Sequence, residues 1–275
     1  MIEYKKIKGG FDMINRFELK MRAREVLREN YWLSVAACVL VSVITQIASS
    51  VLLPVNLLGS SMDLMSAGQS PFFMAAMSAG AMVVFLIMLL FGVAISIFFI
   101  APLNASRIRF FIQSAKGNNN LKTMLDIFRS EHYLNVVKTL FMRDLRLIGW
   151  SLIYIIPFVV ISTLSVFAEE AVYLMPVCFF ALIPLIMKQY SYYMTDYIIA
   201  ENPEMNYKEC LELSRTMMRG CRFELFVLEL SFIGWYLLGA MCFGIGVIFV
   251  TPYVSATIVQ FYFDRKNTSV PCGEE

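Results

Sequence analysis

The sequence has few charged residues and few of the residues that enzymes use for chemistry. Only 16% of its 275 residues are Asp, Glu, Lys or Arg, whereas soluble domains carry about 25%. Histidine occurs once, at His132, with no cysteine near it in sequence, and no two cysteines form a C-x-x-C pair. A zinc site of the usual kind is therefore not expected. The six cysteines are expected to be reduced thiols that pack as small hydrophobic residues.

Sequence motifs for cofactors and nucleophiles are also missing. No serine lies in a G-x-S-x-G segment, and no glycine-rich stretch forms a phosphate-binding loop. No basic face interleaved with aromatic residues points to nucleic acid. We therefore predict no catalytic residue, no cofactor and no metal, and we predict that the chain is not an enzyme.

Hydrophobic residues make up 59% of the chain, and they form long uncharged runs. A helix needs about 20 apolar residues to cross a bilayer. The last run is too long for one helix and is predicted to form two spans with a turn. The predicted spans are 31–53, 72–103, 147–167, 171–187 and two within 223–263, with the turn at 243–246.

The basic residues are sorted by side under a six-span arrangement. All 23 lysines and arginines fall before the first span, between spans two and three, between four and five, or after span six. The opposite loops contain only Asp63, Glu169 and Glu170 as charged residues. Because Lys and Arg concentrate in cytoplasmic loops, we predict a multi-pass membrane protein with both termini in the cytoplasm.

The chain is predicted to form a single integral membrane domain over residues 1–275. Residues 1–30 form a cytoplasmic amphipathic segment, residues 31–263 the six-helix membrane region, and residues 264–275 a cytoplasmic tail. The fold class is all-α, with the six transmembrane helices arranged as three hairpins.

Short amphipathic helices are predicted between the spans. Asn206 followed by Glu209 is typical of a helix start, and a helix over 207–219 would carry apolar residues on one side and charges on the other. Similar patterns begin at Asn15 and, more weakly, over 121–128. We expect these helices to lie along the membrane with their basic sides toward anionic lipid head groups. The lipid bilayer is the predicted partner, and no nucleic acid is expected.

An internal repeat of three units is a further hypothesis. Each unit would hold a surface helix followed by a hairpin, and each hairpin ends in an aromatic run, at 109–112, 196–199 and 260–263. Chance similarity among amphipathic segments is the alternative interpretation.

Glu229 is the main candidate for a functional side chain within a span. It lies about six residues into the fifth span, and ionisable groups at such depth are costly and often functional. The alternative is structural, with Glu229 reaching the interface or pairing with a cation such as Arg143, Arg146 or Lys188. Glu224, in the first turn of the same helix, is a second candidate. The structural alternative is that a carboxylate there interacts favourably with the helix dipole.

Lys188 and Asp196 are candidates for a polar cytoplasmic mouth. They are eight residues apart and would share one face of a continuous helix. Four tyrosines around them either belong to this mouth or form an interfacial aromatic belt. The run 201–204, Glu-Asn-Pro-Glu, is interpreted as a turn and not as a catalytic carboxylate pair. The tyrosines are Tyr190, Tyr192, Tyr193 and Tyr197.

Several segments together resemble a known family. The stretches YSYYMTDYIIAENPE, ELSRTMMRG, LELSFIGWYLLG and TPYVSATIVQFY, with LKMRAREVLRENYW, APLNASRIRFF and WSLIYIIP, are similar to uncharacterised bacterial integral membrane proteins, the domain of unknown function family nine-seven-five. The resemblance implies a bacterial cell membrane and no established activity. Family members often carry Pro-Gly after the third span, whereas Phe158 follows Pro157 here, which leaves the boundaries of spans three and four open.

Three functional classes remain open from the sequence. The first is a non-enzymatic membrane scaffold or regulator. The second is a small transporter or export factor for amphipathic or lipid-like substrates, and the third is an intramembrane enzyme. Because a transporter needs several polar groups converging in the membrane, the single candidate Glu229 favours the first class.

Overall fold

The computed structural model describes residues 16–52, 79–164, 182–241 and 244–267, and within these ranges all regular structure is helical. This confirms the predicted all-α class. The helices are α1 Arg16–Leu52, α2 Ala79–Ile95, α3 Ala101–Ala115, α4 Asp126–Arg129, α5 Tyr133–Leu164, α6 Leu182–Ser191, α7 Thr195–Glu201, α8 Tyr207–Met217, α9 Arg222–Leu230, α10 Ile233–Met241 and α11 Ile245–Asn267. A π-helical segment at Ser96–Ile100 joins α2 to α3, and a 3₁₀ turn at Leu121–Met124 precedes α4.

Five helical stretches of the described chain are long and apolar enough to cross a membrane. They overlap the predicted first, second, third, fifth and sixth spans. Most of the predicted fourth span, 171–187, lies outside the described residues, so the count of six spans stays a prediction. The five stretches are Asn30–Ala48, Leu86–Ala115, Tyr133–Ile161, Arg222–Met241 and Gly246–Asn267.

The amphipathic segment and the first span are two parts of the single helix α1. They meet at Asn30, whose backbone is not helical, with φ −134° and ψ 32°. Before this kink, Leu19, Ala23 and Leu27 recur at helical spacing and are all buried. Their burial comes from packing within the protein, mainly along α11. The segment is therefore part of the folded core.

The helix predicted at 207–219 is α8, and its predicted cap is confirmed. The Asn206 side chain accepts a hydrogen bond from the Lys208 backbone N–H at 3.2 Å, which satisfies one of the free amides of the first turn. On its apolar side Cys210, Leu211 and Met218 are fully buried, next to α5 and α7. Other helices therefore bury this side of α8, whereas the sequence predicts that it lies against lipid.

Buried side chains concentrate where the ends of α3, α7 and α11 meet. We call this region the basic end, because Lys116 and Lys266 lie there. All three aromatic runs of the proposed repeat pack in it, although the repeat itself stays a prediction. The buried residues of these runs are Phe110, Phe111, Ile112, Tyr197, Ile198, Ile199, Phe261 and Tyr262.

Away from the basic end, the helices expose apolar side chains. Leu90 and Phe91 of α2 are 67% and 61% exposed, and Ile153 of α5 is 59% exposed. Apolar surface on helices of spanning length is what contact with lipid requires. The protein interior and the lipid-facing surface therefore occupy different parts of the same helices.

The last two helices form a closely packed hairpin. The chain turns at Gly244, whose φ of +78° favours glycine, within the predicted turn 243–246. Gly239 and Gly246 then bring the backbones of α10 and α11 together. A Cβ atom on Gly246 would lie 2.5 Å from the Cα of Gly239, so a larger residue would force the hairpin apart.

The expectation of reduced thiols holds for two cysteines and is wrong for a third. Cys38 and Cys210 are free and buried, and burial raises the pKa of the Cys210 thiol to about 12. Cys221, by contrast, is disulfide-bonded. No pattern in the sequence marks Cys221 as different, because the pairing of cysteines depends on their distance in the fold.

Candidate functional site

Glu229 lies on α9 and is half-buried. Its carboxylate accepts a hydrogen bond from the Tyr190 hydroxyl at an O–O distance of 2.6 Å. Tyr190 lies near the end of α6, so this bond connects two helices that are neighbours in the fold. A hydrogen bond to a carboxylate is stronger than one between neutral groups, and it partly replaces the water that Glu229 loses.

A row of four tyrosines runs from this carboxylate into the basic end. The rings of Tyr190 and Tyr193 stack with centroids 5.9 Å apart, and those of Tyr193 and Tyr197 stack at 6.2 Å. Tyr262 continues the row, 5.9 Å from Tyr197. Burial raises the pKa of the Tyr193 hydroxyl, and the neighbouring Tyr197 and Glu229 raise it further. The phenol is therefore neutral, and the four rings pack against one another.

Two of the three cations that the sequence offered as partners for Glu229 have other partners. Arg143 forms ion pairs with Asp144 and Asp196, and the Lys188 ammonium lies 4.2 Å from the centre of the Trp150 ring. Among the described residues, no cation forms an ion pair with Glu229. Its charge is supported by a hydroxyl donor and not by a positive partner.

Arg107 of α3 is a cation that acts on Tyr197 of this row. Burial raises the pKa of the Tyr197 hydroxyl, the Arg107 charge opposes this rise, and Glu229 adds to it. The Arg107 Nε is buried and has no hydrogen-bond partner within the described part of the chain. Sequence reasoning missed Arg107, because an arginine just past an apolar run is expected at any cytoplasmic end of a span.

The structure does not join Lys188 and Asp196 into one polar mouth. The helical path between them is broken, since α6 ends at Ser191 and α7 begins at Thr195. The eight-residue spacing therefore no longer places them on one helix face. They contact α5 at Trp150 and Arg143 respectively, positions about 10 Å apart along a helix.

Glu224 occupies the first turn of α9, as predicted. The residue is half-buried. Its Oε2 atom is buried and forms no hydrogen bond to any described residue. A carboxylate near a helix N-terminus is stabilised by the helix dipole, and the structural interpretation of Glu224 stays a prediction.

Glu201 forms a second carboxylate site, which the sequence interpretation missed. It ends α7, and its side chain is only 8% exposed. Lys116 and Lys266 each donate to it at 2.8 Å, and the Tyr262 hydroxyl donates at 2.6 Å. Burial alone would raise the pKa of the Glu201 carboxyl, but these three donors outweigh burial and lower the pKa to about 2.

The Glu201 site joins the ends of three helices. Lys116 follows α3, Glu201 ends α7, and Tyr262 and Lys266 belong to α11. Nothing local marked this residue, because its partners are 85, 61 and 65 positions away in sequence. The Tyr262 ring also ends the tyrosine row, so the two carboxylate sites are connected through aromatic packing.

The described residues contain no group of three His, Cys, Asp or Glu side chains placed to hold a metal ion. The described chain has five helical stretches of spanning length, apolar outside and joined by polar contacts inside, which is the architecture of a multi-pass helical membrane protein. The chain belongs to the family described as Protein of unknown function (DUF975), whose model matches residues 13–268. This confirms the family resemblance. No curated protein and no solved structure matches the chain.

Proposed function

We propose that this protein is a non-enzymatic scaffold or regulator in the bacterial cell membrane, with six spans and both termini in the cytoplasm. The observation that carries the proposal is that its semi-buried carboxylates are used to join helices. Glu201 connects α3, α7 and α11, Glu229 connects α6 and α9, and Asp196 connects α7 to α5. Polar groups that form contacts between helices stabilise the architecture.

Anionic lipid head groups are the proposed partner of the basic end. Lys116 and Lys266 keep 45% and 44% of their side chains exposed while they bind Glu201. Lys208, Arg215 and Arg129 are also exposed. Each Lys or Arg near an anionic membrane surface contributes about 1 kcal/mol of attraction, so this arrangement suits the cytoplasmic leaflet.

Transport is the second candidate function, and the tyrosine row favours it. The row connects a carboxylate within a span, Glu229, to Glu201 at the basic end. Polar groups that follow one another through a helical bundle are typical of proton or substrate paths. The two functions differ in what they require of Glu229: a transporter needs its charge, whereas a scaffold needs only its hydrogen-bond acceptor.

Complementation of a strain that lacks the gene separates the two functions. Glu229→Gln keeps an acceptor for Tyr190 and removes the charge, so a scaffold with this substitution should restore any growth or membrane-permeability defect of the strain. Glu204→Gln, an exposed neighbour of the other carboxylate, serves as the control at matched expression. Loss of complementation by well-folded Glu229→Gln alone would overturn the scaffold and support transport.

The proposed topology is tested by labelling single cysteines with a reagent that does not cross the membrane. On a background without native cysteines, substitutions at Ser60 and Glu170 should be labelled from outside intact cells, and a substitution at Lys116 should not. Labelling at Lys116 but not at Ser60 would contradict the topology, because it would place the basic loops outside.

A further inference from the structure

A cleft of about 420 Å³ lies between the first part of α1 and the α10–α11 hairpin. One side is apolar and includes Trp235, Phe249 and Val250, and the other carries Arg24 and Arg28. The volume is within the range of about 300–1,000 Å³ that small-molecule sites occupy. We call it the arginine cleft.

The apolar wall of the arginine cleft is held in place and open to the surroundings. Trp235 and Phe249 remain 51% and 41% exposed. The Tyr31 hydroxyl donates to the backbone carbonyl of Phe249 at 3.3 Å, and the Trp32 ring contacts the Phe249 ring edge-on at 6.5 Å. A chain of methylene groups could therefore lie against this wall and continue into the bilayer.

Basic residues recur at every fourth position of α1 beside the cleft. Arg16, Lys20, Arg24 and Arg28 follow this spacing, which brings like charges together on one side of the helix. Lys20 has partners inside the protein, since its ammonium donates to Ser231 Oγ at 2.7 Å and lies 4.4 Å from the centre of a phenyl ring. Burial, followed by repulsion from Arg24 and Arg16, lowers the pKa of Lys20.

Arg24 and Arg28, by contrast, are not neutralised by the part of the protein that the structure describes. Arg24 lies 5.6 Å from the centre of the Tyr253 ring, and no carboxylate of the described chain forms an ion pair with either arginine. Arg28 is two residues before the candidate span Asn30–Ala48. Two exposed guanidinium groups one turn apart therefore lie beside an apolar wall.

We propose that the arginine cleft binds a single anionic membrane phospholipid. Its phosphate-bearing head group lies between Arg24 and Arg28, and an acyl chain lies against Trp235 and Phe249. Guanidinium groups bind phosphate oxygens through paired hydrogen bonds, and the negative charge offsets the repulsion along α1. This inference rests on the lipid partnership of the proposed function and narrows it to one site.

Tryptophan fluorescence tests the proposal on the full chain in lipid nanodiscs. The protein has three tryptophans, so Trp32→Phe and Trp150→Phe together leave Trp235 as the only one. Brominated phosphatidylglycerol should quench Trp235 more strongly than brominated phosphatidylcholine at equal mole fraction. Absence of quenching by either lipid, or equal quenching by both, would overturn the proposal.

Charge substitutions in the same background locate the head group. Arg24→Gln and Arg28→Gln should each lower the relative affinity for the anionic lipid by about fivefold. Arg22→Gln is the matched control, because Arg22 is on the same helix but pairs with Glu18 at 2.5 Å; it should leave the preference unchanged. An unchanged preference in the Arg24→Gln/Arg28→Gln double variant would refute the site. Since Glu229→Gln tests the scaffold separately, the two proposals can fail independently.

Discussion

Glu201 and Glu229 each accept a hydrogen bond from a tyrosine hydroxyl at 2.6 Å, yet their other partners differ. Glu201 also binds two lysines at 2.8 Å each. Glu229 has no ion-pair partner among the described residues and lies in a candidate span. Glu201 is thus neutralised by opposite charge, whereas among the described residues Glu229 is supported by hydroxyl groups alone.

The difference shows that position along the helices decides how an acid is stabilised. At the basic end, long lysine side chains reach Glu201 while nearly half of each remains exposed, so the cost of burying their charge is limited. Within a span a cation has no such access to water, and its burial is costly. Tyrosines stack in the interior and still offer a hydrogen-bond donor, so burying a tyrosine beside Glu229 costs less free energy than burying a cation there.

The largest effect on stability is expected from Glu201→Gln. Removal of one member of a buried ion pair costs roughly 3–5 kcal/mol, and the half-exposed lysines here reduce that loss to about 2 kcal/mol. Thermal unfolding of the purified protein in detergent measures it, with the exposed Glu204→Gln as control. Equal unfolding midpoints of the two variants would show that the Glu201 site does not hold the basic end together.

The same site predicts a dependence of stability on pH. The pKa of Glu201 is lowered from its ordinary value of 4.5 to about 2 in the folded protein, so the unfolded state binds the proton more readily. The stabilisation is complete above pH 4.5 and is lost as the pH falls from about 4.5 to 2. Unfolding midpoints measured across this window should fall less steeply for Glu201→Gln than for the wild type, and parallel curves would contradict the assignment.

A smaller effect is expected from Tyr190→Phe, which removes the hydroxyl that donates to Glu229 at 2.6 Å. The carboxylate then loses a hydrogen bond without gaining a cation, at a cost of about 1–2 kcal/mol. Tyr207→Phe is a suitable control, since the Tyr207 ring contacts the Lys138 ammonium at 5.0 Å and its hydroxyl has no hydrogen bond within the described chain. Equal unfolding temperatures for Tyr190→Phe and Tyr207→Phe would show that the hydrogen bond from Tyr190 does not stabilise Glu229.

The smallest effect is expected from Glu229→Gln. An amide oxygen still accepts from Tyr190, and no cation is left unpaired, so we expect a change of about 0.5 kcal/mol or less. The double variant Tyr190→Phe/Glu229→Gln should lose no more than Tyr190→Phe alone. A large loss from Glu229→Gln would mean that a cation neutralises this carboxylate after all, as at Glu201.

Local patterns in the sequence predicted local features correctly. The Asn206 cap, the turn at Gly244 and the apolar stretches that became spans depend on residues within a few positions of one another, and helical hydrogen bonds act at that range. Glu229 was recognised because a carboxylate within an apolar run is unusual. The sequence did not predict that protein buries the apolar side of the amphipathic helix α8, since an apolar stripe has the same pattern whether it faces protein or lipid.

The sequence by itself determined that this chain is an all-α protein of the membrane, because apolar length and the absence of charge decide where a helix is stable. Its tertiary structure alone decided which polar groups meet. Lys116, Glu201 and Lys266 are brought together from three helix ends, and Tyr190 reaches Glu229 across 39 positions. Charge and hydrogen bonding act over a few ångströms in space, and no distance along the chain predicts which residues the fold places within that range.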